Sequence, residues 1–275
     1  MIELPEARTI VKDLKKEILG KKITSVGGNY TDHKFTFYMG DPEEYNDLLE
    51  GKKITDVYDH SFYVEIEIED YILCFRDGAN IRYYRTETEI PKSKLLIEFD
   101  DDSYINVTTS MYCCIGVFKK GIVTDNLYYN IALNGVGALD KEFTYEYYKS
   151  LITDKTLKLS IKAFLATEQR IIGIGNGVVQ DIMFNASLHP KRKMNTLSEK
   201  EIKGLYDSII NILTDMTKLG GRDTEKNIYG KAGEYKTILS SKTYKNGCPK
   251  CKGPITKEAY LGGSIYYCPV CQPKA

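Results

Sequence analysis

The sequence of 275 residues has no long apolar run, no internal repeat and no low-complexity tract. No stretch approaches the roughly 20 apolar residues that a bilayer-spanning helix needs. The first residues include Glu3, Glu6 and Arg8, where a secretory signal would have its apolar region. These absences argue against a membrane-spanning or repeat protein, and they predict a cytoplasmic protein with no membrane partner.

Net charge is also absent, since 38 Lys and Arg residues balance 38 Asp and Glu residues. By itself, this balance argues against a polyanionic partner. The charges are nevertheless unevenly distributed, with a net −9 over residues 1–150 and +9 over residues 151–275. Either a polyanion binds mainly through the C-terminal half, or the two halves only present solvated surfaces of opposite sign.

The first part of the chain is predicted to be a β-rich domain that begins with a helix. Apolar residues recur at helical spacing in residues 6–19, and Gly20 follows them as a C-terminal cap. Strict alternation in V-E-I-E-I-E, residues 64–69, predicts a half-buried antiparallel strand. Further strands are predicted at residues 23–27, 35–38, 72–76, 80–84, 94–99 and 103–109, with turns at 77–78 and 101–102. The pattern is typical of a β-sandwich or barrel.

Helical spacing returns from about residue 143. The predicted helices lie near residues 158–169 and 177–187, and from residue 198 to about residue 220. The last of them begins at Ser198, where Glu201 completes a capping box. Residues 221–247 are rich in Gly, Lys and Asn, and they are predicted to form a loop.

Four of the seven cysteines form a metal-binding pattern, C-x2-C-x16-C-x2-C, near the C-terminus. Each Cys-x-x-Cys turn aims two thiolates at one ion, and four thiolates leave no coordination position for water. The sequence therefore predicts one structural zinc ion, with free thiols or redox chemistry as the alternative. The predicted ligands are Cys248, Cys251, Cys268 and Cys271. The other cysteines are predicted to be reduced core residues: Cys74, Cys113 and Cys114.

A second informative stretch is G-I-G-N, residues 173–176, between two predicted helices. Glycine lets the backbone approach a ligand closely, and amide groups at the start of the next helix can receive an anion. Gly173 and Gly175 would allow the close approach, and Asn176 would add a side-chain hydrogen bond. The stretch therefore predicts a phosphate-binding turn, although a Gly-x-Gly-x between helices is also typical of a simple tight connection.

Together these features resemble the formamidopyrimidine-DNA glycosylase/endonuclease VIII family over essentially the full length. The shared features are the E-L-P-E start, a β-rich first domain, the G-I-G-N turn and the four-cysteine finger ending C-P-x-C-Q. The resemblance implies an α+β multidomain fold. Its domains would be an N-terminal β-sandwich with a leading helix (1–135), a helical helix–two-turn–helix domain (143–235) and a C-terminal zinc-finger β-hairpin (236–275).

The family excises oxidised bases after flipping the nucleotide out of the duplex. The resemblance implies that an N-terminal amine attacks the anomeric carbon of the sugar to form a Schiff base, after which β,δ-elimination cuts the strand. It also implies that Glu3 protonates the opened sugar, that Glu6 supports the N-terminal helix and active site, and that Asn176 holds a phosphate. Lys191 and Arg192, just beyond the next helix, are further expected DNA contacts.

The residue that supplies the amine departs from the family pattern. Family members usually have proline after the initiator Met, whereas this chain has Ile2. Met before a β-branched Ile is expected to be removed poorly. The reactive amine therefore belongs either to Ile2 or to Met1, one residue earlier and roughly 3.5 Å away. Misplacement on the order of 1 Å can cost about 100-fold in rate. If Met1 is retained, the alternative is that Ile2 only packs as a buried anchor.

Three further family positions are altered. The arginine that grips a phosphate about five residues before the third cysteine corresponds to Gly263, followed by Ser264. The family's hairpin lysine corresponds to Phe62. The loop that usually fills the vacated base stack with arginine and phenylalanine corresponds to M-Y-C-C-I-G-V-F, residues 111–118. In that loop Ile115 is the expected wedge, since an apolar side chain can insert between bases.

Three functions therefore stay open from the sequence. The first is excision of an oxidised base, with AP lyase activity through the amine, or without it if Glu3 activates a water. The second is a paralogue that binds damaged or distorted double-stranded DNA without chemistry. The third is a zinc-ribbon protein of nucleic-acid metabolism with another partner. A monomer associated with a bacterial nucleoid is expected. The lesion is not specified, and the cations of residues 220–237, such as Arg222, either contact phosphates or are solvated.

Overall fold

The computed structural model describes residues 1–28, 35–86, 93–122 and 124–274. Its backbone divides into two compact units. Unit 1 comprises Met1–Asn134 and Leu219–Glu234, and unit 2 comprises Gly135–Lys218 and Tyr235–Ala275. The boundaries of the three predicted domains are not tested by this division and stay a prediction. Within the described residues, no helix combines the length and the hydropathy needed to cross a membrane.

In its described residues, unit 1 combines three helices with a seven-stranded sheet. The helices are α1 (Leu4–Ile18), α2 (Tyr45–Leu49) and α3 (Leu127–Asn134). The strands are β1 (Ile23–Gly27), β2 (Thr36–Met39), β3 (Ile54–His60), β4 (Tyr63–Ile68), β5 (Tyr71–Tyr84), β6 (Leu95–Phe99) and β7 (Tyr104–Lys119). The strand order is β1-β6-β7-β5-β4-β3, and β2 pairs in parallel with β7.

Strands β5 and β7 are the longest and pair with each other along most of their length. The first half of β5 also pairs with β4, and the first half of β7 also pairs with β6, so the sheet has two halves that meet along these strands. Residues from both halves, such as Ile66 and Ile97, belong to one buried cluster. The predicted β-sandwich architecture with a leading helix is confirmed, with both layers formed by one hydrogen-bonded sheet.

Helix α1 forms because its ends and its apolar spacing agree. Glu3 and Glu6 form a reciprocal capping box at its start, and Gly20 follows its end with φ of 81°, a conformation that favours glycine. Three apolar residues at helical spacing, Ile10, Leu14 and Ile18, lie in the core of unit 1. Burying each such side chain contributes roughly 1.5–3 kcal/mol, so this face holds the helix against the sheet.

Three details of the first domain differ from the predictions. The turn predicted at residues 77–78 is wrong, because β5 continues through it with a β-bulge between Asp77 and Ala79. The strand of residues 64–69 is not half-buried in the simple alternating way, because the Glu65 side chain is also buried. Tyr129 of α3 hydrogen-bonds to Glu65, so the outer face of the sheet is covered there. Strand β3 was not predicted at all.

Unit 2 contains four helices and one hairpin in its described residues. The helices are α4 (Tyr145–Ser150), α5 (Ile161–Ala166), α6 (Val178–Asn185) and α7 (Glu199–Lys218), and the hairpin strands are β8 (Thr256–Tyr260) and β9 (Gly263–Tyr267). The helices predicted near residues 158–169, 177–187 and 198–220 are confirmed. The capping box of α7 is also confirmed, since the Ser198 amide donates to the Glu201 carboxylate at 2.8 Å.

Candidate functional site

The two N-terminal carboxylates of unit 1 are held by one buried arginine. Glu3 and Glu6 are 3% and 6% exposed, and Arg222 is 3% exposed. Arg222 donates from Nε to Glu6 Oε1 at 2.9 Å and from Nη2 to Glu6 Oε2 at 2.8 Å. Its Nη1 lies 3.7 Å from Glu3 Oε1. Arg222 is therefore buried and paired within the protein, and the alternative of a solvated side chain is wrong.

The positive charge of Arg222 offsets the negative charges of Glu3 and Glu6 in part. An unpaired buried carboxylate is costly, and a bidentate guanidinium is the side chain best suited to compensate it. Burial alone lowers the pKa of Arg222, but the charges of Glu3 and Glu6 raise it above its ordinary value. Arg222 therefore stays charged, and residues 219–234 are tied to the start of α1.

The amino group of Met1 contacts an acidic residue of the same segment, Glu225. Its nitrogen is 2.5 Å from Oε2 of Glu225, and Arg222 Nη2 donates to the Met1 carbonyl at 3.3 Å. The Ile2 amide donates to the Asp77 carbonyl at 2.7 Å, and the Ile2 side chain is buried in the core. With Met1 present, the structure therefore places Ile2 as an anchor and leaves the Met1 amine at the surface.

The segment that carries these two residues, 219–234, is itself well anchored in unit 1. The Tyr83 amide donates to the Ile228 carbonyl at 2.9 Å, and the Tyr229 hydroxyl donates to Glu17 at 2.8 Å. A Cβ at Gly233 would lie 2.1 Å from the Gly221 carbonyl oxygen, so only glycine allows this backbone approach. The position of Glu225 beside the amine therefore follows from several independent contacts.

One residue of unit 1 that was predicted to contact DNA lies in the core. Residues 111–118 belong to the continuous strand β7 and do not form a loop. Ile115 in that strand has no exposed surface and packs in the core. A side chain buried in this way does not reach a base stack, so the assignment of Ile115 as a wedge is corrected. Phe62, at the position of the family's lysine, is 5% exposed in the β3–β4 turn and packs against Tyr63.

The glycine turn of unit 2 has a backbone conformation that favours glycine. Gly173 has φ of 90°, and the Gly175 carbonyl accepts from the Val179 amide at 3.3 Å in the first turn of α6. Oδ1 of Asn176 is buried without a hydrogen-bond partner in the described part of the chain.

Gly263, which stands where the family has an arginine, lies directly against Asn176. A Cβ at Gly263 would be 3.0 Å from Oδ1 of Asn176, so glycine allows β9 to pack on the amide. Gln180 secures the contact, because its amide donates to the Ser264 carbonyl at 3.1 Å and accepts from the Tyr266 amide at 3.1 Å. The hairpin thus touches the G-I-G-N turn through a small residue instead of a cation.

The two cations predicted to contact DNA in unit 2 are paired within the protein. Lys191 forms an ion pair with Glu258, and Arg192 forms a two-point ion pair with Glu201. The Arg192 guanidinium, together with Ser198, lowers the pKa of Glu201 to about 2. These partners reduce the charge that Lys191 and Arg192 present to a polyanion.

The four C-terminal cysteines converge as the spacing predicted. Their sulfur atoms all lie within 4.8 Å of one another, with 3.7 Å between Cys248 and Cys271 and 3.5 Å between Cys251 and Cys268. Burial and the neighbouring thiols raise the pKa of Cys271 to about 12. A divalent cation would offset the cost of forming thiolates at this site, so the four sulfur atoms fit a metal ion.

The chain is similar to known proteins along its whole length. The formamidopyrimidine-DNA glycosylase N-terminal domain model matches residues 1–108, and the corresponding H2TH domain model matches residues 135–227. The formamidopyrimidine-DNA glycosylase of Lactococcus lactis subsp. cremoris is 28% identical, with 100% of both chains covered. That of Brevibacillus brevis is 27% identical, with 99% of both covered.

Solved structures are also similar to this chain along its whole length. A complex between the Lactococcus lactis Fpg and DNA containing an abasic site has a TM-score of 0.83 at 26% identity, covering 99% of this chain and 100% of that chain. A complex of the wild-type Lactococcus lactis Fpg with DNA containing N7-benzyl-Fapy-dG has a TM-score of 0.82 at 26% identity, with the same coverage. The chain belongs to the formamidopyrimidine-DNA glycosylase/endonuclease VIII family.

Sequence reasoning missed the partners of the N-terminal groups. Arg222 and Glu225 lie more than two hundred residues from the groups they contact. Their local sequence, G-G-R-D-T-E, reads only as a polar loop. Only the tertiary structure identifies them as part of the site.

Proposed function

We propose that this protein binds damaged double-stranded DNA and excises an oxidised base, as an N-glycosylase whose N-terminal amine also gives AP lyase activity. The observation that carries the proposal is that one guanidinium, that of Arg222, contacts the Met1 carbonyl, Glu3 and Glu6 together. This guanidinium therefore links two carboxylates to the backbone of the residue that carries the N-terminal amine. An amine and a positioned carboxylate are the groups that Schiff-base chemistry on a sugar requires.

In the proposed reaction the neutral amine of Met1 attacks C1′ of the sugar. The base departs with the electrons of the glycosidic bond and takes a proton from water, while the Glu3 carboxylate takes a proton from the attacking amine and passes it to the sugar oxygen as the ring opens. The resulting Schiff base then allows loss of a C2′ proton and cleavage of the 3′ C–O bond. In the resting protein the Met1 nitrogen lies 2.5 Å from Oε2 of Glu225, so this contact must open before the amine reaches the sugar.

A second candidate function is DNA binding without chemistry. Glu3 and Glu6 also have a structural role, since they cap α1 and neutralise Arg222. The pairing of Lys191 and Arg192 within unit 2 weakens the phosphate contacts expected of an active enzyme. These observations favour an inactive paralogue that still recognises damaged or distorted duplex.

The four-cysteine cluster is proposed to hold one structural zinc ion. When bound, the ion links the two ends of the β8–β9 segment, and no position is left for a reacting water. Cys248 and Cys268 belong to a buried cluster with Phe184 of α6. The ion would therefore fix the hairpin, and with it Gly263, against the G-I-G-N turn. The protein is further proposed to act as a monomer on DNA in the bacterial cytoplasm.

Borohydride trapping separates the two candidate functions. Duplex oligonucleotides containing an abasic site or an oxidised purine are incubated with the protein and reduced, and the adduct is mapped by mass spectrometry. An adduct on the Met1 amine, lost when that amine is acetylated, supports the glycosylase and lyase. Salt-dependent binding to both duplexes with no adduct and no released base supports the binding protein instead. Absence of preference for damaged over intact duplex would contradict both.

A further inference from the structure

The Glu225 carboxylate lies directly against the reactive end of the chain. Its Oε2 is 2.5 Å from the Met1 nitrogen, and its side chain is 27% exposed, so the carboxylate is partly buried beside the amine. The two residues are 224 positions apart in sequence. In the proposed reaction the Met1 nitrogen becomes bonded to C1′ of the sugar. Glu225 is therefore a carboxylate that contacts a reacting atom.

The backbone on both sides of Glu225 is fixed by hydrogen bonds. The Glu225 amide donates to the Arg222 carbonyl at 3.1 Å, and the Glu225 carbonyl accepts from the Gly233 amide at 3.2 Å. Just beyond, the Asn227 amide donates to the Lys231 carbonyl at 2.9 Å. Only the flexible side chain separates the carboxyl group from this backbone. The carboxylate is thus able to turn between neighbouring atoms while it stays at the amine.

The other carboxylates near the amine are engaged by arginines. Glu6 accepts two hydrogen bonds from Arg222, and Oε1 of Glu3 lies 3.7 Å from the same guanidinium. The Asp77 carboxylate accepts from Arg76 Nε at 2.6 Å. These contacts hold the three carboxylates on their cationic partners. Glu225 contacts the amine itself, and it loses that partner when the nitrogen bonds to the sugar.

The proton that is lost in β-elimination lies on the carbon next to the new bond. Once the Met1 nitrogen is bonded to C1′, C2′ lies roughly 2.5 Å from that nitrogen, as in any N–C–C unit. A carboxylate oxygen already in contact with the nitrogen therefore lies beside the hydrogens of C2′. The positively charged Schiff base withdraws electrons from the C2′–H bond, so a carboxylate is a strong enough base for this step.

We propose that Glu225 is the base that removes the C2′ proton and so allows strand cleavage. The inference rests on the proposed function, because it takes the Schiff base to form at Met1. As the proton moves to Glu225, the C2′–H electrons form the C1′=C2′ bond of an enamine, and the electrons of the C=N double bond return to nitrogen. The enamine then expels the 3′ phosphate, which keeps the electrons of the C3′–O bond, while the C=N bond forms again.

A small polar pocket offers the proton a route from Glu225 to solvent. Its volume is about 20 Å³, and Met1, Glu6, Glu225 and Lys226 are among the residues that line it. This volume exceeds the roughly 10–15 Å³ that one water molecule requires, and the carboxylates supply the polar partners that such a water needs. A water in this pocket would accept the proton, and Glu225 would then be a carboxylate again for the next reaction.

The test follows adduct formation and strand cleavage separately, on a duplex with one abasic site that requires no base excision. Glu225→Gln is expected to form the borohydride-trapped adduct at least as fast as the unaltered protein. Its cleavage rate is expected to fall on the order of 100-fold, a typical contribution of a general base, so the adduct accumulates. Glu234→Gln, at an exposed carboxylate of the same segment, is the matched control and should leave both rates unchanged.

Two further readouts distinguish a base from a residue that only supports the structure. Glu225→Ala should cleave slowly, and added formate should restore most of its cleavage, whereas chloride at the same ionic strength should not. Deuterium at C2′ should slow cleavage by Glu225→Gln, because proton removal then limits the rate. Thermal unfolding confirms that every variant is folded.

Cleavage by Glu225→Gln at the unaltered rate overturns the inference and leaves the proposed function intact. Equal loss of adduct and of cleavage also overturns it, since Glu225 would then act before the elimination step. The same holds if formate does not restore cleavage or if deuterium has no effect. Absence of any adduct with the unaltered protein defeats the proposed function, and the inference with it.

Discussion

Arg222 and Glu6, 216 residues apart in the chain, form a bidentate ion pair with N–O distances of 2.9 and 2.8 Å in the interior of unit 1. The pair ties the segment of residues 219–234 to the N-terminus of α1. The same segment brings Glu225 to the Met1 amine. The immediate surroundings of the proposed reactive amine are therefore built by a segment distant in sequence.

Replacing Arg222 tests how much this pair stabilises the fold. Arg222→Met leaves two buried carboxylates without their cation, so the free energy of unfolding is expected to fall by about 3–5 kcal/mol. Urea denaturation measures the change. Arg85→Met, which removes an exposed cation from its pair with Glu17, is the matched control and should cost less than about 1 kcal/mol. Similar losses for both variants would contradict a special role for Arg222.

Glu225 is expected to restrain the reactivity of the Met1 amine. The Glu225 carboxylate lies 2.5 Å from the amine nitrogen, so an electrophile reaches that nitrogen only after the contact has opened. Glu225→Gln should therefore raise the rate of acylation of the N-terminal amine by an activated ester roughly two- to fivefold, the effect of an exposed ion pair. Intact-mass measurement and peptide mapping follow the reaction. Glu234→Gln, on the same segment, should leave the rate unchanged, and a slower reaction of the Glu225 variant would refute the expectation.

The buried Glu65 should make stability depend on pH. Burial raises its pKa from 4.5 to about 7, although hydrogen bonds from Tyr129 and Tyr58 oppose the shift. Because the folded state binds the proton more tightly than the unfolded chain, stability from this group is full below about pH 4.5. It falls by about 3 kcal/mol as the pH rises to about 7.

Urea unfolding at pH 5 and pH 8 checks this dependence. Glu65→Gln should lose most of the difference between the two values, because the amide does not titrate. Glu67→Gln, two residues along β4 and paired with Lys120, is the matched control and should keep the difference. An unchanged pH dependence in the Glu65 variant would show that other groups cause it.

The cysteine cluster is expected to bind one zinc ion per chain. Cys251→Ser should lose the metal, since it removes one of four ligands, whereas Cys74→Ala alters a buried thiol of unit 1 and should keep it. Elemental analysis of the purified variants measures the content. Chelation should increase hydrogen exchange in β8 and β9 and leave β5 and β7 unchanged. A full zinc complement in the Cys251 variant would exclude the proposed ligand set.

Much of the architecture could be predicted because it depends on local patterns. Within α1, and within α7, the residues that set the helical spacing and the cap are close in sequence. The two cysteines of each Cys-x-x-Cys pair are also close in sequence. The G-I-G-N turn was also recognisable, since glycine favours the positive φ that Gly173 adopts. Strand β3 and the continuity of β5 through Asp77 were not predicted. In β5 the local sequence reads as a turn, and a β-bulge with pairing to β7 keeps the strand continuous. Strand β3 forms through its pairing with β4.

The amino-acid sequence by itself determined the family, the helices α1, α5, α6 and α7 and the metal-binding cluster, because each depends on spacing along the chain. Tertiary structure alone decided that Arg222 is buried against Glu6, that Glu225 meets the amine and that Ile115 is a core residue. The physical reason is that burial depends on which surfaces pack together. A charged residue in a polar loop becomes a buried ion pair only where the fold places opposite charges beside it.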